Sequence, residues 1–143
     1  MTTRLKLRAE DAEDIGIIAA CLQDALIPFG DMKFFPDEAR FMLVANRFCW
    51  ENLSRQPSAE QYERVHCGIC FDGVKAVRCR GIEQKKPGDV LEILTIVAED
   101  DSLTLIFACD AVIRFEIDRV HCVLEDFGEP WPTQWRPQHP LED

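Results

Sequence analysis

Histidine and cysteine cluster between residues 66 and 79, and their side chains are the ones in this chain best suited to bind a metal ion. Thiolate and imidazole groups are the usual ligands of tetrahedral zinc. Cys67 and Cys70 are separated by two residues, but positions three apart in a strand lie on opposite faces. The hairpin predicted below places His66 opposite Cys79, with Cys70 on the same face. Free cysteines are most often small buried apolar residues, so we predict no cofactor and keep His66, Cys70 and Cys79 as an alternative site.

Catalytic signatures are absent from the sequence, which contains no nucleophile elbow, phosphate-binding loop or complete metal cage. The three serines all lie in predicted loops. We therefore predict a non-enzymatic binding or scaffolding protein. The alternative is a small metal-assisted enzyme with a site near His66, Cys70 and Cys79.

Basic residues are concentrated between Arg64 and Lys86, in a chain whose net charge is -10. Lys75, Arg78 and Arg80 form the centre of this segment and are candidate contacts for an unknown protein partner or a small anionic ligand. The alternative is a solvated strand face whose charges block edge-to-edge pairing. The overall negative charge argues against binding to nucleic acid or to an anionic membrane.

The C-terminal segment 127–143 is rich in proline and contains Trp131 and Trp135. Proline at this density disfavours helices and central strands and favours an extended polyproline II path. Burying a tryptophan removes roughly 150–250 Å² of aromatic surface from water. The segment is therefore predicted to be an extended strap that packs on its own domain, or that docks on a partner or in a swapped homodimer through Trp131 and Trp135.

Three segment pairs are predicted to form β-hairpins that carry these residues. In the first, Met32–Phe35 is followed by a turn from Pro36 to Ala39 and by the strand Arg40–Val44. Proline and aspartate favour such a turn. A four-residue loop places Met32 opposite Leu43 and Phe34 opposite Phe41, so that the apolar side chains of the two strands share one face.

The second predicted hairpin joins Val65–Phe71 to Val74–Ile82 through Asp72-Gly73. An Asp-Gly pair between two strand-like runs is a strong hairpin signal, because both turn residues need a positive φ. This register places Ile69 opposite Ala76.

The third predicted hairpin pairs Leu103–Phe107 with Ile113–Ile117 and places Leu105 opposite Phe115. Val90–Val97 and Val120–Leu124 are further predicted strands. The phase of the apolar residues shifts near Asp118-Arg119, which indicates a bend there.

The N-terminal segment predicts a short strand, Arg4–Arg8, followed by a helix. Asp11 is a suitable N-cap, and acidic residues follow in the first turn, where the helix dipole favours them. An apolar stripe at helical spacing runs from Ile15 to Leu26, and Pro28 is predicted to end the helix.

Bulk properties place the chain among folded globular proteins. Its 143 residues are enough for a single domain, 1–143, and its hydrophobic fraction is 47%. No apolar run is long enough to span a bilayer. Seven cysteines without an apolar signal segment favour free thiols in a cytoplasmic protein.

Several segments resemble an uncharacterised family, a domain of unknown function found in short alphaproteobacterial proteins. They are Cys21–Met32, Arg40–Phe48, Phe71–Val74 and Leu124–Pro132. The resemblance covers nearly the whole chain. It implies a bacterial, cytoplasmic protein and implies no activity or catalytic residues.

These patterns together predict an α+β fold. Seven or eight mostly antiparallel strands are expected to form a strongly curved sheet or a partly open barrel, covered by one N-terminal helix. A barrel like that of pleckstrin-homology domains is the nearest analogue, and a two-layer sandwich is the alternative. Fold analogy by itself implies no function.

Overall fold

The computed structural model describes residues 4–51 and 62–133 and contains one complete α-helix, three short 3-10 helices and ten strands within those ranges. In chain order the α-helix and the strands are β1 (Lys6–Ala9), α1 (Ala12–Leu22), β2 (Leu26–Pro28), β3 (Met32–Phe35), β4 (Arg40–Phe48), β5 (Tyr62–Asp72), β6 (Val74–Arg80), β7 (Val90–Ala98), β8 (Ser102–Phe107), β9 (Val112–Ile117) and β10 (Cys122–Thr133). The order across the sheet is β1-β10-β5-β4-β2-β7-β8-β9-β6, with β3 paired to β4.

The α+β class is confirmed, and the sheet has ten strands rather than seven or eight. All of its strand pairs are antiparallel. Among the described residues the terminal strands β1 and β6 do not pair with one another, so the sheet is open. No helix in the described ranges is long and apolar enough to cross a bilayer.

Helix α1 begins as predicted and ends earlier than predicted. The Asp11 carboxylate accepts a hydrogen bond from the Asp14 amide at 2.8 Å, which is the expected N-cap. The helix ends at Leu22, and Leu26 instead lies in β2, where it pairs with both β4 and β7. The Ile93 amide donates to the Ala25 carbonyl at 3.0 Å. The prediction of a longer helix was wrong because these residues are backbone partners between two halves of the sheet. One half contains β1, β10, β5, β4 and β3, and the other contains β7, β8, β9 and β6.

The first hairpin is confirmed in its register. Met32 pairs with Leu43 and Phe34 with Phe41, as the alternation predicted. The turn is a short 3-10 helix, Pro36–Glu38, followed by Ala39 in the left-handed conformation with φ 50° and ψ 48°.

Ala39 gives a test of this turn. The left-handed conformation destabilises a residue with a Cβ by about 1–2 kcal/mol, because the Cβ lies too close to the following carbonyl oxygen. Glycine has no Cβ and avoids this strain. Because glycine also makes the unfolded chain more flexible, we expect A39G to raise the free energy of unfolding by only about 0.5–1 kcal/mol. Urea denaturation measures this change, with A45G in the middle of β4 as a control that should lower stability. A loss of stability in A39G would contradict the assigned turn.

The second predicted hairpin is wrong. Strand β5 pairs with β4 and β10, whereas β6 pairs with β9 in the other half of the sheet. Gly73 does have a positive φ of 76°. However, the Asp72 amide donates to the His121 carbonyl and the Val74 amide donates to the Ala39 carbonyl, each at 2.9 Å. Hydrogen bonds to backbone groups of distant segments therefore hold the chain where it passes from β5, in one half of the sheet, to β6, in the other. A hairpin was predicted at this point.

The third hairpin forms with a register two residues away from the predicted one. Leu105 pairs with Ile113, and Leu103 pairs with Phe115. The reason is a tight turn at Ala108–Asp110, with φ near 64° at Cys109 and 63° at Asp110. A shift of two residues keeps every side chain on its face, so the predicted inward residues remain buried.

The hydrophobic core joins the helix to both halves of the sheet. Ile15, Ile18 and Leu22 of α1 are buried in it. At its centre the Phe115 ring lies 4.7 Å from the Phe41 ring and 4.9 Å from the Phe71 ring, measured between centroids. These contacts join β9 to β4 and β5, which are not neighbours in the sheet, and so hold the two halves together.

Candidate binding surfaces

Three rings form an aromatic patch on the outer face of the sheet: His66 of β5 and Phe127 and Trp131 of β10. The His66 and Phe127 rings are stacked at 5.7 Å with an interplanar angle of 15°. The Trp131 ring lies 4.7 Å from His66. His66 is exposed, and Phe127 keeps 45% of its surface accessible. Aromatic side chains that remain exposed in this way are typical of surfaces that bind a partner.

The aromatic patch exists because β10 continues further than predicted. Residues 127–133 were expected to form a strap in a polyproline II path, but they pair with β5 up to Thr133, opposite Tyr62. These residues are extended and pack on their own domain, as predicted, and only the polyproline II path is wrong. Strand β1 pairs with β10 only as far as Glu125. The Asp126 amide still donates to the Leu5 carbonyl at 2.9 Å. Beyond Asp126 no described strand pairs with this edge of β10, so proline is tolerated there. Trp135 and the rest of the tail lie outside the described residues.

An irregularity in β10 brings the patch together. The register with β5 shifts between Phe127, opposite His66, and Trp131, opposite Arg64. Gly128 has a φ of 71°, a conformation that glycine adopts without strain. The extra residues let Phe127 and Trp131 contact the same histidine.

A buried arginine lies beside the patch. Arg64 is 6% exposed, and its Nη1 donates to the Asn46 side-chain oxygen at 2.8 Å. Its Nη2 finds no hydrogen-bond acceptor within the described ranges. Burial lowers the pKa of Arg64, and the charges of Asp24 and Glu92 offset this only in part. The guanidinium thus links β5 to β4 through Asn46, at the residue that pairs with Trp131.

A second buried arginine fixes β10 immediately before the patch. Arg47 is fully buried, and it donates to the Asp126 carboxylate from Nε at 2.8 Å and from Nη2 at 2.7 Å. Its Nη1 and Nη2 also donate to Glu51, at 3.0 and 2.9 Å. Asp126 accepts one more hydrogen bond, from the Leu5 amide at 2.9 Å. This network joins β4, β10 and the N-terminal segment one residue away from Phe127.

The carboxylates keep Arg47 charged. Burial alone would lower the pKa of its guanidinium, but the hydrogen bonds to Asp126 and Glu51 outweigh burial and raise the pKa. Sequence reasoning missed this network. One feature of the sequence could have revealed it. Arg47 continues the inward-facing series Phe41, Leu43 and Ala45 of β4, where a charged residue requires a buried partner.

The predicted basic residues lie on β6, which is a terminal strand of the sheet. Lys75 is paired with Asp118 at 3.5 Å and Arg78 with Glu116 at 3.2 Å. Both cations remain more than half exposed, at 56% and 72% of their side-chain surface. Arg80 is also exposed. Exposed ion pairs of this kind contribute roughly 0–1 kcal/mol and leave the cations accessible.

The alternative site near His66, Cys70 and Cys79 depended on a hairpin that does not form. His66 lies opposite Asn46 and Phe127, whereas Cys79 lies opposite Ile113 in the other half of the sheet. Cys70 is near Asp72 instead, with its Sγ 4.0 Å from the carboxylate. In the described part of the chain, no three histidine, cysteine or acidic side chains come close enough together to hold a metal ion.

A cavity of about 400 Å³ opens in the loop between β6 and β7. Its lining consists of Gly81, Glu83, Gln84, Lys85 and Asp89. Within the described ranges, this lining includes none of the three residues of the alternative site. The cavity therefore lends no support to an enzyme at His66.

All seven cysteines are free thiols. Cys49, Cys67 and Cys122 are buried. Burial raises the pKa of Cys49 and of Cys67 from 9.0 to about 12, and it raises the pKa of Cys122 further. These thiols stay protonated at neutral pH and act as packing groups. Cys79 and Cys109 are the exposed ones.

Comparison with known proteins shows the family of the chain. The family model described as "protein of unknown function (DUF2948)" matches residues 5–139. No curated protein and no solved structure is significantly similar to the chain.

Proposed function

The chain belongs to the DUF2948 family, whose function is unknown, and we propose that it is a non-enzymatic binding or scaffolding protein that contacts its partner through the aromatic patch. The contact of the exposed His66 ring with both Phe127 and Trp131 is the observation that carries this proposal. Such rings supply a large contact area at a small entropic cost.

The surroundings of the patch support a contact of this kind. Met42, Cys70 and Val123 lie side by side on adjacent strands of the same face, and Met42 is 43% exposed. The exposed Glu125, opposite Gly68, lies between them and the patch. Gly68 lies between His66 and Cys70 on β5, and a Cβ built there would meet no atom within 4 Å. The surface is therefore open at Gly68, beside the rings.

The patch is also rigidly positioned. The buried pair of Arg47 and Asp126 holds the backbone of β10 next to Phe127. A contact surface that is ordered before binding loses less conformational entropy when a partner docks. This favours a binding role over a purely structural role for rings that remain accessible to solvent.

The proposal is tested by substituting the rings and measuring what the protein retains. We expect F127S and the double variant F127S/W131S to lose most of the specific partners that the wild-type protein captures from a lysate, quantified by mass spectrometry. The matched control is I17S, because Ile17 is 55% exposed on α1, away from the patch. Circular dichroism checks that each variant is folded.

The two outcomes are distinct. Partners that bind the wild type and I17S equally, and F127S at least tenfold less, would support a contact through the aromatic patch. A partner list that is the same for folded F127S/W131S and for the wild type would overturn it.

A further inference from the structure

Strand β6 has an open edge in the part of the chain that the structure describes. It is the last strand in the order and pairs only with β9. The Val74 amide already donates to the Ala39 carbonyl, and the six residues after it, 75–80, are long enough to accept a further strand. An open edge presents unpaired amide and carbonyl groups, which are the groups that bind an extended peptide when a strand is added to a sheet.

Cations concentrate along this edge. Arg78 of β6 lies directly opposite Arg114 of β9, although like charges in that position destabilise a sheet. Glu116 contacts Arg78, whereas Arg80 and Arg114 make no ion pair in the described residues. We call Lys75, Arg78, Arg80 and Arg114 the basic edge. It stands out on a protein with a net charge of -10.

A second copy of the chain is a poor occupant for this position. The other terminal strand, β1, has exposed Lys6 and Arg8. Pairing of β6 with β6, or of β6 with β1, would therefore bring cations together across the new interface. Strand β1 is also shorter, with four residues, and its Arg8 already lies 4.0 Å from Glu10.

We propose that the basic edge binds an acidic extended segment of a partner protein by adding it as a strand to β6. Backbone hydrogen bonds to the open edge would supply affinity, and carboxylates facing Arg78 and Arg80 would supply selectivity. Arg114, one strand further in on β9, would add positive charge to the same face. The inference rests on the proposed binding function, because it names the chemistry of a partner. It concerns a separate surface, so its test is independent of the aromatic patch.

The test uses a fluorescein-labelled peptide of alternating valine and glutamate, ten residues long, with fluorescence anisotropy as the readout. We expect saturable binding that weakens as salt is added, and at least tenfold weaker binding of the same peptide with lysine in place of glutamate. A third peptide keeps the glutamates but is N-methylated at every residue, because successive amides of a strand point to opposite edges and both edges must be blocked to prevent a strand ladder. We expect it to bind at least tenfold more weakly as well.

Variants locate the site. We expect R80E/R114E to weaken binding at least tenfold, and K6E/R8E, with the same change of charge on β1, to leave it within twofold. Equal weakening by both variants, or unchanged binding of the N-methylated peptide, would overturn strand addition at β6. A dimer seen in sedimentation of the wild type and lost in R80E/R114E would place a second copy on this edge and would also overturn it.

Discussion

Replacing Asp126 by alanine should lower the free energy of unfolding by about 3 kcal/mol, near the lower end of the range for breaking a buried ion pair. The variant would leave Arg47, which is fully buried, without two of its hydrogen bonds, and it would also leave the Leu5 amide without its acceptor. Glu51 would still bind Arg47, which is why we do not expect a larger loss.

Urea denaturation followed by circular dichroism measures this loss. The matched control is E116A, which removes a carboxylate from an exposed pair with Arg78 and should cost less than about 1 kcal/mol. The double variant R47M/D126L should recover part of the stability, because it removes both buried charges together. Equal costs for D126A and E116A would show that the network contributes little.

Stability should also fall steeply in alkaline solution, because three buried thiols must stay protonated in the folded protein. Their pKa is raised by burial, from 9.0 to about 12 for Cys49 and Cys67 and in the same direction for Cys122. Below pH 9 these thiols are protonated in both states, so stability is unaffected. Above pH 9 the thiols of the unfolded chain lose their protons, while the same thiols in the folded protein keep them. The free energy of unfolding therefore falls until the pH reaches the raised pKa of the folded thiols.

The expected loss is about 1.4 kcal/mol for each thiol and each pH unit between pH 9 and 12, or about 4 kcal/mol per unit for all three. The dependence of the unfolding free energy on pH measures it. We expect C67A to reduce the slope by about 1.4 kcal/mol per pH unit, even though its stability at pH 7 is lower. The control C109S removes an exposed thiol and should leave the slope as it is. A slope that C67A does not change would contradict this account.

Local features were predictable where a few neighbouring residues decide the outcome. The N-cap at Asp11 needs only the residues of the first helical turn. The pairing of Met32 with Leu43 needs only a four-residue loop and alternating side chains on either side of it. The tight turn after Phe107 changed the register of β8 and β9 but not the faces of their residues.

The candidate site was less predictable, because it joins segments that are distant in sequence. Asp72-Gly73 carries a strong hairpin signal, yet β5 pairs with β4 and β10. A turn signal reports the local backbone and not the partners of the strands around it. Trp131 was predicted as a contact residue, but its neighbours His66 and Phe127 became evident only once β10 was seen to pair with β5.

The amino-acid sequence alone determined the capped helix, the first hairpin, the faces of the strands, the net negative charge and the basic character of β6. Each of these depends on composition or on contacts within a short stretch of chain. Only the tertiary structure decided which strands are neighbours, that β6 lies at an open edge, and that Arg47 meets Asp126 across 79 positions of sequence. The physical reason is that long-range pairings are chosen by the joint burial of many side chains, and no single segment encodes that choice.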